Sequence, residues 1–250
     1  MINEIILAII QSITEFLPIS SSGHLTLISK LISKPDLFFF TLLHLASLLA
    51  VLIFLRKEIF ELIFHPNKNK KIWFYWIIAT IPAALFGYLL SDIVEKAFSS
   101  YLLLGICFIF TGVILHLTKY AKYSSKSSSI SLKSSILIGL AQILALFPGV
   151  SRSGITISSG LFLGIDKEKI TRFSFLLFIP LSLGAFVLEL VKIPNPTSYL
   201  NLTYIISFVL CSIFSLCSLQ ILSLIIKREK FWIFSFYCWL IGLICLIISF

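Results

Sequence analysis

A chain of 250 residues that is 58% apolar and only 12% charged, with a mean hydropathy of +1.05, cannot be a water-soluble domain, which would keep about a quarter of its residues charged to cover its surface. Its surface must face lipid. The formal charge of +9 does not point to nucleic acid: the basic residues sit between apolar runs, where they act as topology signals and headgroup contacts, and they build no contiguous basic face.

About 20 apolar residues are needed to cross a hydrocarbon core of ~30 Å. Taken in chain order, residues 2 to 33 are apolar but cut by Pro18 and by the polar string Ser20, Ser21, Ser22, Gly23, His24. The opening MINEIILAII carries Glu4 and neither a basic leader nor a small-residue cleavage site, so it is expected to belong to the mature fold. Full spans are predicted over 37–55, 72–90 and 101–118, followed by a polar, low-complexity linker over 119–133. Residues 134 to 165 are again cut, by Pro148, Gly149 and the string Ser151, Arg152, Ser153, Gly154, and three more spans are predicted over 173–191, 202–226 and 231–250. Pro82 and Pro180 fall inside spans, where a kink is tolerated if a neighbour satisfies the freed carbonyl. Glu189, Trp73, Trp76 and Trp232 lie near span ends and are expected to reach the interface. Cys107, Cys211, Cys217, Cys238 and Cys245 all lie in apolar runs without metal-ligand spacing and read as small core hydrophobes.

Non-helical backbone survives at membrane depth only where protein or a water-filled cavity satisfies its polar groups, so both interrupted stretches should line an internal site. They also resemble each other: Phe16-Leu17-Pro18 leads into Ser-Ser-Ser-Gly as Leu146-Phe147-Pro148 leads into Ser-Arg-Ser-Gly. One broken hairpin and three full spans per half make an odd number of crossings, which inverts the second half relative to the first. The expected fold is therefore an all-α polytopic membrane protein, with six full transmembrane helices and two broken re-entrant hairpins in an inverted-topology repeat. It forms a single membrane domain over 1–250, divided into repeats 1–118 and 134–250. Fifteen of the Lys and Arg residues fall in loops 56–71, 119–133, 166–172 and 227–230, and the alternate loops hold only Lys30, Lys34, Lys96 and Lys192. The excess marks the cytoplasmic side, which puts both termini outside and brings the two breaks together near midplane.

Intramembrane charge is costly, on the order of 2.5–3.5 kcal/mol on insertion scales, and Glu15 and Arg152 both lie beside the breaks. A carboxylate and a guanidinium brought together there offset part of each other's cost. Gln11 and Glu15 are four apart and share a helix face, an arrangement suited to metal coordination or to orienting a base. Ser20, Ser21 and Ser22 precede a helix start, and Ser151, Ser153, Gly154 and Thr156 repeat the device, so two helix N-termini with open amides would face one anion. Arg152 offers phosphate a bidentate fork that stays charged. His24, three residues after Ser21, is expected to reach that hydroxyl as general base or to attack phosphorus itself. His44, inside a full span, reads as a core histidine, and His65 and His116 are given no role.

The segments Gln11-Ser-Ile-Thr-Glu15-Phe-Leu-Pro-Ile-Ser-Ser-Ser-Gly-His24 and Pro148-Gly-Val-Ser-Arg-Ser-Gly-Ile-Thr156 resemble the two signatures of the undecaprenyl-diphosphate phosphatases of the bacitracin-resistance type. The resemblance implies a membrane enzyme of the bacterial cell membrane that hydrolyses a polyprenyl diphosphate lipid to the monophosphate carrier for cell-wall polymers, with the pocket opening to the outer side. It implies Glu15, Ser21, His24 and Arg152 as catalytic residues, with Ser151 and Thr156 also in its motif, and the two helix starts add Ser20, Ser22, Ser153 and Gly154 to the residues expected to bind substrate. It also implies a divalent cation, Mg²⁺ or Ca²⁺, at Gln11 and Glu15. Gln11 in place of Glu removes one anionic ligand. Partners are expected to be the lipid substrate and membrane lipids, with room for a homo-oligomer and no nucleic acid. Nucleophiles open on the residues are Ser21, His24 and metal-activated water. A transporter or flippase of an anionic lipid is the alternative reading, since inverted repeats with broken helices are also transporter architecture.

Overall fold

The computed structural model describes residues 2–32, 37–121, 129–192 and 201–249. The chain is helical along nearly all of these. The first interrupted stretch is α1 (Ile2–Thr14), a turn over 15–19, and α2 (Ser21–Leu31); α3 (Leu37–Phe54), α4 (Arg56–Phe64), α5 (Lys70–Leu89), α6 (Ser91–Ala97) and α7 (Tyr101–Leu117) follow. The second interrupted stretch is α8 (Leu132–Leu144), a turn over 145–150 and α9 (Arg152–Phe162), before α10 (Lys167–Lys192), α11 (Leu202–Lys227) and α12 (Phe234–Ile248). Of the expected loop residues, Lys34, Lys122 and Lys126 lie outside the described residues, as does the side chain of Lys192.

Among the described residues, five helical segments are long and apolar enough to cross a membrane, and a sixth is added if α3 and α4 count as one bent span. The chain is a multi-pass membrane protein. The expected span 37–55 ends in a 75° bend, and what was expected as the start of loop 56–71 is the helix α4. Arg56 and Lys57 cannot stay in hydrocarbon, so the chain turns at Leu55 and lays α4 across the end of the bundle with Phe60, Ile63 and Phe64 exposed. Likewise the expected loop 166–172 is mostly the first two turns of α10.

Some packing partners are preserved when the elements of the two halves are exchanged. α1 packs on α11 as α8 packs on α5, and α3 lies against α11 as α10 lies against α5, while α3 and α10, like α7 and α12, pack on each other. Small residues permit the closest approaches: a Cβ at Gly139 of α8 would fall 2.7 Å from the carbonyl oxygen of Ala79 in α5. Pro82 and Pro180 both sit inside continuous helices. Pro180 has no N–H for the carbonyl of Leu176, and the Trp76 indole donates to that oxygen instead, at 2.8 Å. Trp76 therefore clamps α5 to α10 and does not serve as the interfacial residue expected from its position.

Beneath the two breaks the core is aromatic. Phe16 is fully buried and meets Phe175 and Phe178 edge-on, with ring centroids 5.9 and 5.6 Å away. Those contacts fix the residue that follows Glu15 and set the carboxylate's position.

Candidate active site

Each break ends in a serine that caps the next helix. Ser20 accepts from the amide of Gly23 at 3.3 Å and Ser151 from that of Gly154 at 3.1 Å. In both helices the i→i−4 ladder starts at the fourth amide, with His24 N–H on Ser20 O and Ile155 N–H on Ser151 O. The third amide is capped, so two amides at each N-terminus carry no bond within the helix. Ser20 holds φ at +66°, a left-handed conformation that costs a non-glycine residue on the order of 1–2 kcal/mol. In that conformation its hydroxyl also accepts from the amide of Gly149, at 3.1 Å, and so ties the first break to the second. Glycine is required on both sides of this junction. Gly149 has φ +93°, and a Cβ at Gly23 would lie 2.5 Å from the Phe108 ring and 3.0 Å from the Cα of Gly149. Thr111 of α7 completes the junction, donating to the Gly149 carbonyl at 2.9 Å and accepting from the Ser151 amide at 3.3 Å.

Between the breaks lies a cavity of about 130 Å³. The first hairpin contributes Glu15, Ser20, Ser21 and Ser22, the second contributes Ala145, Val150, Ser151 and Arg152, and α3 contributes His44. Glu15 joins its two sides. One carboxylate oxygen accepts from Arg152 Nη2 at 3.1 Å, and the other accepts from Ser21 Oγ at 2.6 Å and from Gln11 Nε2 at 2.8 Å. The guanidinium is held from two further directions, by the Ser174 carbonyl at 3.2 Å and by the face of Phe178 at 4.4 Å. Glu15 and Arg152 are only 7% and 13% exposed. Because a buried pair of this kind depends on satisfied geometry, the two hairpins are locked together by the groups that line the cavity.

Such a cavity, lined by the hydroxyl-bearing residues Ser20, Ser21, Ser22 and Ser151 at two helix starts and by one guanidinium, suits a phosphate group. The profile of the family described as "Bacitracin resistance protein BacA" matches residues 4–244. The chain belongs to that family. Its relatives include proteins named undecaprenyl-diphosphatase. That of Thermosipho africanus is 41% identical over 252 residues, covering 99% of this chain and 100% of the relative. That of Methanobrevibacter smithii is 39% identical over 264 residues, covering 97% and 95%, and that of Caldicellulosiruptor bescii is 40% identical over 243 residues, covering 93% and 91%.

In this BacA-family chain the expected residues divide into two groups. Glu15, Ser20, Ser21, Ser22, Ser151 and Arg152 meet at the cavity. Gln11, Ser153, Gly154 and Thr156 stand behind it: Thr156 bonds the hydroxyl of Ser174 at 2.6 Å and the Arg152 carbonyl at 2.9 Å, and so props the arginine instead of facing a ligand.

Neither histidine sits where it was expected. His24 does not reach Ser21. Its Nδ1–H donates to the Ser20 carbonyl at 2.7 Å, which in the neutral ring leaves Nε2 to accept from the Tyr237 hydroxyl, also at 2.7 Å. With both nitrogens engaged and the ring stacked on Tyr237, His24 anchors the strained Ser20 cap to α12. Replacing Tyr237 by Phe is expected to cost about 1 kcal/mol of stability and to leave kcat within about tenfold of wild type, as checked by thermal melting and phosphate release. A loss of several hundredfold would return His24 to the chemistry. His44, expected to be a core residue, lines the cavity instead. Its Nδ1–H donates to the Phe40 carbonyl at 2.9 Å, and its Nε2 lies 3.8 Å from Glu15. An ionisable side chain within a span is a functional signal in its own right, and that signal was present in the sequence. Tyr237, Ser174 and Phe178 had none, since only folding brings them to the breaks.

The donor set does not fit a resident divalent cation. Glu15 already accepts from three donors, one of them a guanidinium, and an added ion would sit against that positive charge. Among the described residues no three His, Cys, Asp or Glu side chains gather. Gln11 turns its amide nitrogen to Glu15, and its buried oxygen has no partner.

Proposed function

We propose that this chain is an undecaprenyl-diphosphate phosphatase, releasing inorganic phosphate and returning the lipid monophosphate that carries cell-wall precursors. The bacitracin-resistance family and relatives named for this activity across the whole chain support the reading and favour the hydrolase over a transporter or flippase. The observation that carries the site assignment is the single Glu15 carboxylate, which bridges the Arg152 guanidinium on one hairpin and the Ser21 hydroxyl on the other.

In this reading the terminal phosphate enters between the two helix N-termini, against Arg152, Ser151 and the amides that begin α2 and α9. Ser21 Oγ attacks its phosphorus while Glu15 takes the hydroxyl proton. The P–O bond to the bridging oxygen breaks, and the bridging oxygen leaves on the lipid monophosphate. Water then attacks the seryl phosphate, yielding inorganic phosphate and restoring the Ser21 hydroxyl. Arg152 and the open amides stabilise charge on the equatorial oxygens, so most of the acceleration is electrostatic. His24, having no free nitrogen toward Ser21, is not the nucleophile.

A dependence on Mg²⁺ or Ca²⁺, as the resemblance implies, would in this reading have to come with the substrate, since Gln11 and Glu15 build no cage for an ion. The two halves, 1–118 and 134–250, are read as inverted repeats. The loops rich in Lys and Arg are placed on the cytoplasmic side of the cell membrane, with both termini and the cavity opening outside. A homo-oligomer is compatible with this arrangement.

The test is phosphate release from C55 diphosphate by purified protein in detergent, with acid quench of substrate labelled in its terminal phosphate. Wild type is expected to yield an acid-stable, base-labile phosphoenzyme that Ser21→Ala lacks. An acid-labile phosphoenzyme would put the covalent step on a histidine, and full turnover by Ser21→Ala would remove that residue from the chemistry.

A further inference from the structure

The catalytic cavity is not the largest in the molecule. A second cavity, of about 310 Å³, opens at the end of the bundle where α3 stops, α10 begins and α11 ends, and its wall carries Arg56, Lys57, Glu58, Glu168, Arg172 and Lys227. Its charges do not cancel. Glu58 pairs with Arg172, and Glu168 with Lys227 at 3.5 Å, which uses both carboxylates. Arg56 spends one nitrogen on the Ile53 carbonyl at 3.1 Å, and Lys57 has neither an ion pair nor a hydrogen bond among the described residues. Two cations are therefore left over at the mouth of a cavity between spans. They stand in the first turn of α4, where no side chain caps the helix amides, so the backbone adds its own attraction for an anion.

A second feature identifies the surroundings of that anion. The 75° bend turns α4 along the bundle end, and Phe60 and Phe64, 57% and 63% exposed with ring centroids 4.3 Å apart, stand out from it with Ile63. A short helix with basic residues at one end and an exposed aromatic edge is built to lie at the boundary of headgroups and acyl chains. Free phosphate in water would need no such edge.

We propose that this cavity holds the headgroup of an anionic glycerophospholipid. Its phosphodiester sits against Arg56, Lys57 and the open amides of α4, and its chains run over the apolar faces of the adjoining spans. The site lies outside the catalytic cavity, shares none of its residues, and does not depend on the reaction assigned there.

The experiment uses the full chain in detergent, with native mass spectrometry to count bound lipid during titration with phosphatidylglycerol, phosphatidylcholine or inorganic phosphate. Phosphatidylglycerol is expected to bind in preference to phosphatidylcholine, and millimolar inorganic phosphate should not displace it. Arg56→Gln with Lys57→Gln should weaken that binding roughly 30-fold, and Lys57→Gln alone, at an exposed side chain, about fivefold. Lys70→Gln with Lys71→Gln, which removes two exposed charges outside the cavity, should leave the affinity unchanged. Phosphate release without added phospholipid should stay at the wild-type level in every variant, which also reports that each has folded. Equal binding of the two lipids, displacement by inorganic phosphate, or equal losses in the two double variants would overturn the proposal. The last result would mean a diffuse basic surface in place of a site.

Discussion

Arg152→Ala is expected to lower phosphate release about a thousandfold or more, the scale set by removing one preorganised charge stabiliser from a phosphoryl or oxyanion site. The guanidinium is immobilised before substrate arrives, by Glu15 at 3.1 Å, the Ser174 carbonyl at 3.2 Å and the Phe178 face at 4.4 Å. Its remaining N–H groups need no reorganisation to meet the phosphoryl oxygens. Arg152→Lys keeps a charge but loses both the planar fork and the ring contact, and should recover no more than about tenfold of the loss. A variant retaining more than about a tenth of wild-type kcat would remove the guanidinium from stabilisation of the transition state. Thermal melting of the same sample separates that outcome from simple unfolding.

Glu15→Gln should be nearly as damaging to turnover, by about 10² to 10⁴ in kcat, with KM changed far less because Arg152 and the helix amides still bind the diphosphate. Its stability effect is distinctive. The substitution leaves a guanidinium 13% exposed without its counter-charge, which costs about 3–5 kcal/mol. Adding Arg152→Gln removes that stranded charge, so the double variant should melt above Glu15→Gln although it is no more active. Strictly additive losses in the double-mutant cycle would contradict the direct pairing of the two side chains. If KM rose while kcat held, Glu15 would be a binding group and Ser21 would need another base.

Much of the architecture was legible because the bilayer allows few solutions. Runs 72–90, 101–118 and 202–226 became α5, α7 and α11 with shifts of a few residues, since nothing but a helix satisfies an apolar backbone in lipid. The two breaks were equally plain: a proline followed by serines and glycine cannot continue a span, and Ser20 and Ser151 cap the helices that follow. Where the reading failed, short-range pattern met a competing demand. Hydropathy carries no sign of a 75° bend, so α4 was expected as loop, although Arg56 and Lys57 at its start and Phe60 and Phe64 on its exposed edge describe an interfacial helix.

Within the site, types of residue were readable and partners were not. A carboxylate, a guanidinium and serines beside two interruptions marked the cavity, because no other role offsets their cost at that depth. The pairing of Ser21 with Glu15 instead of His24 depended on the turn over 15–19, which brings the carboxylate back to the start of α2. The positions of the two histidines depended on α12 and α3, since Tyr237 claims His24 and the course of α3 brings His44 within 3.8 Å of Glu15.

What the sequence determined by itself was lipid exposure, the number and approximate limits of the spans, and the two places where the helix must stop. These follow from transfer free energy and backbone satisfaction, which are summed along the chain. Which nitrogen, oxygen or ring each polar group would face was settled only by tertiary structure. A hydrogen bond requires placement to within a few tenths of an ångström, and that placement comes from helices far apart in the chain packing on one another.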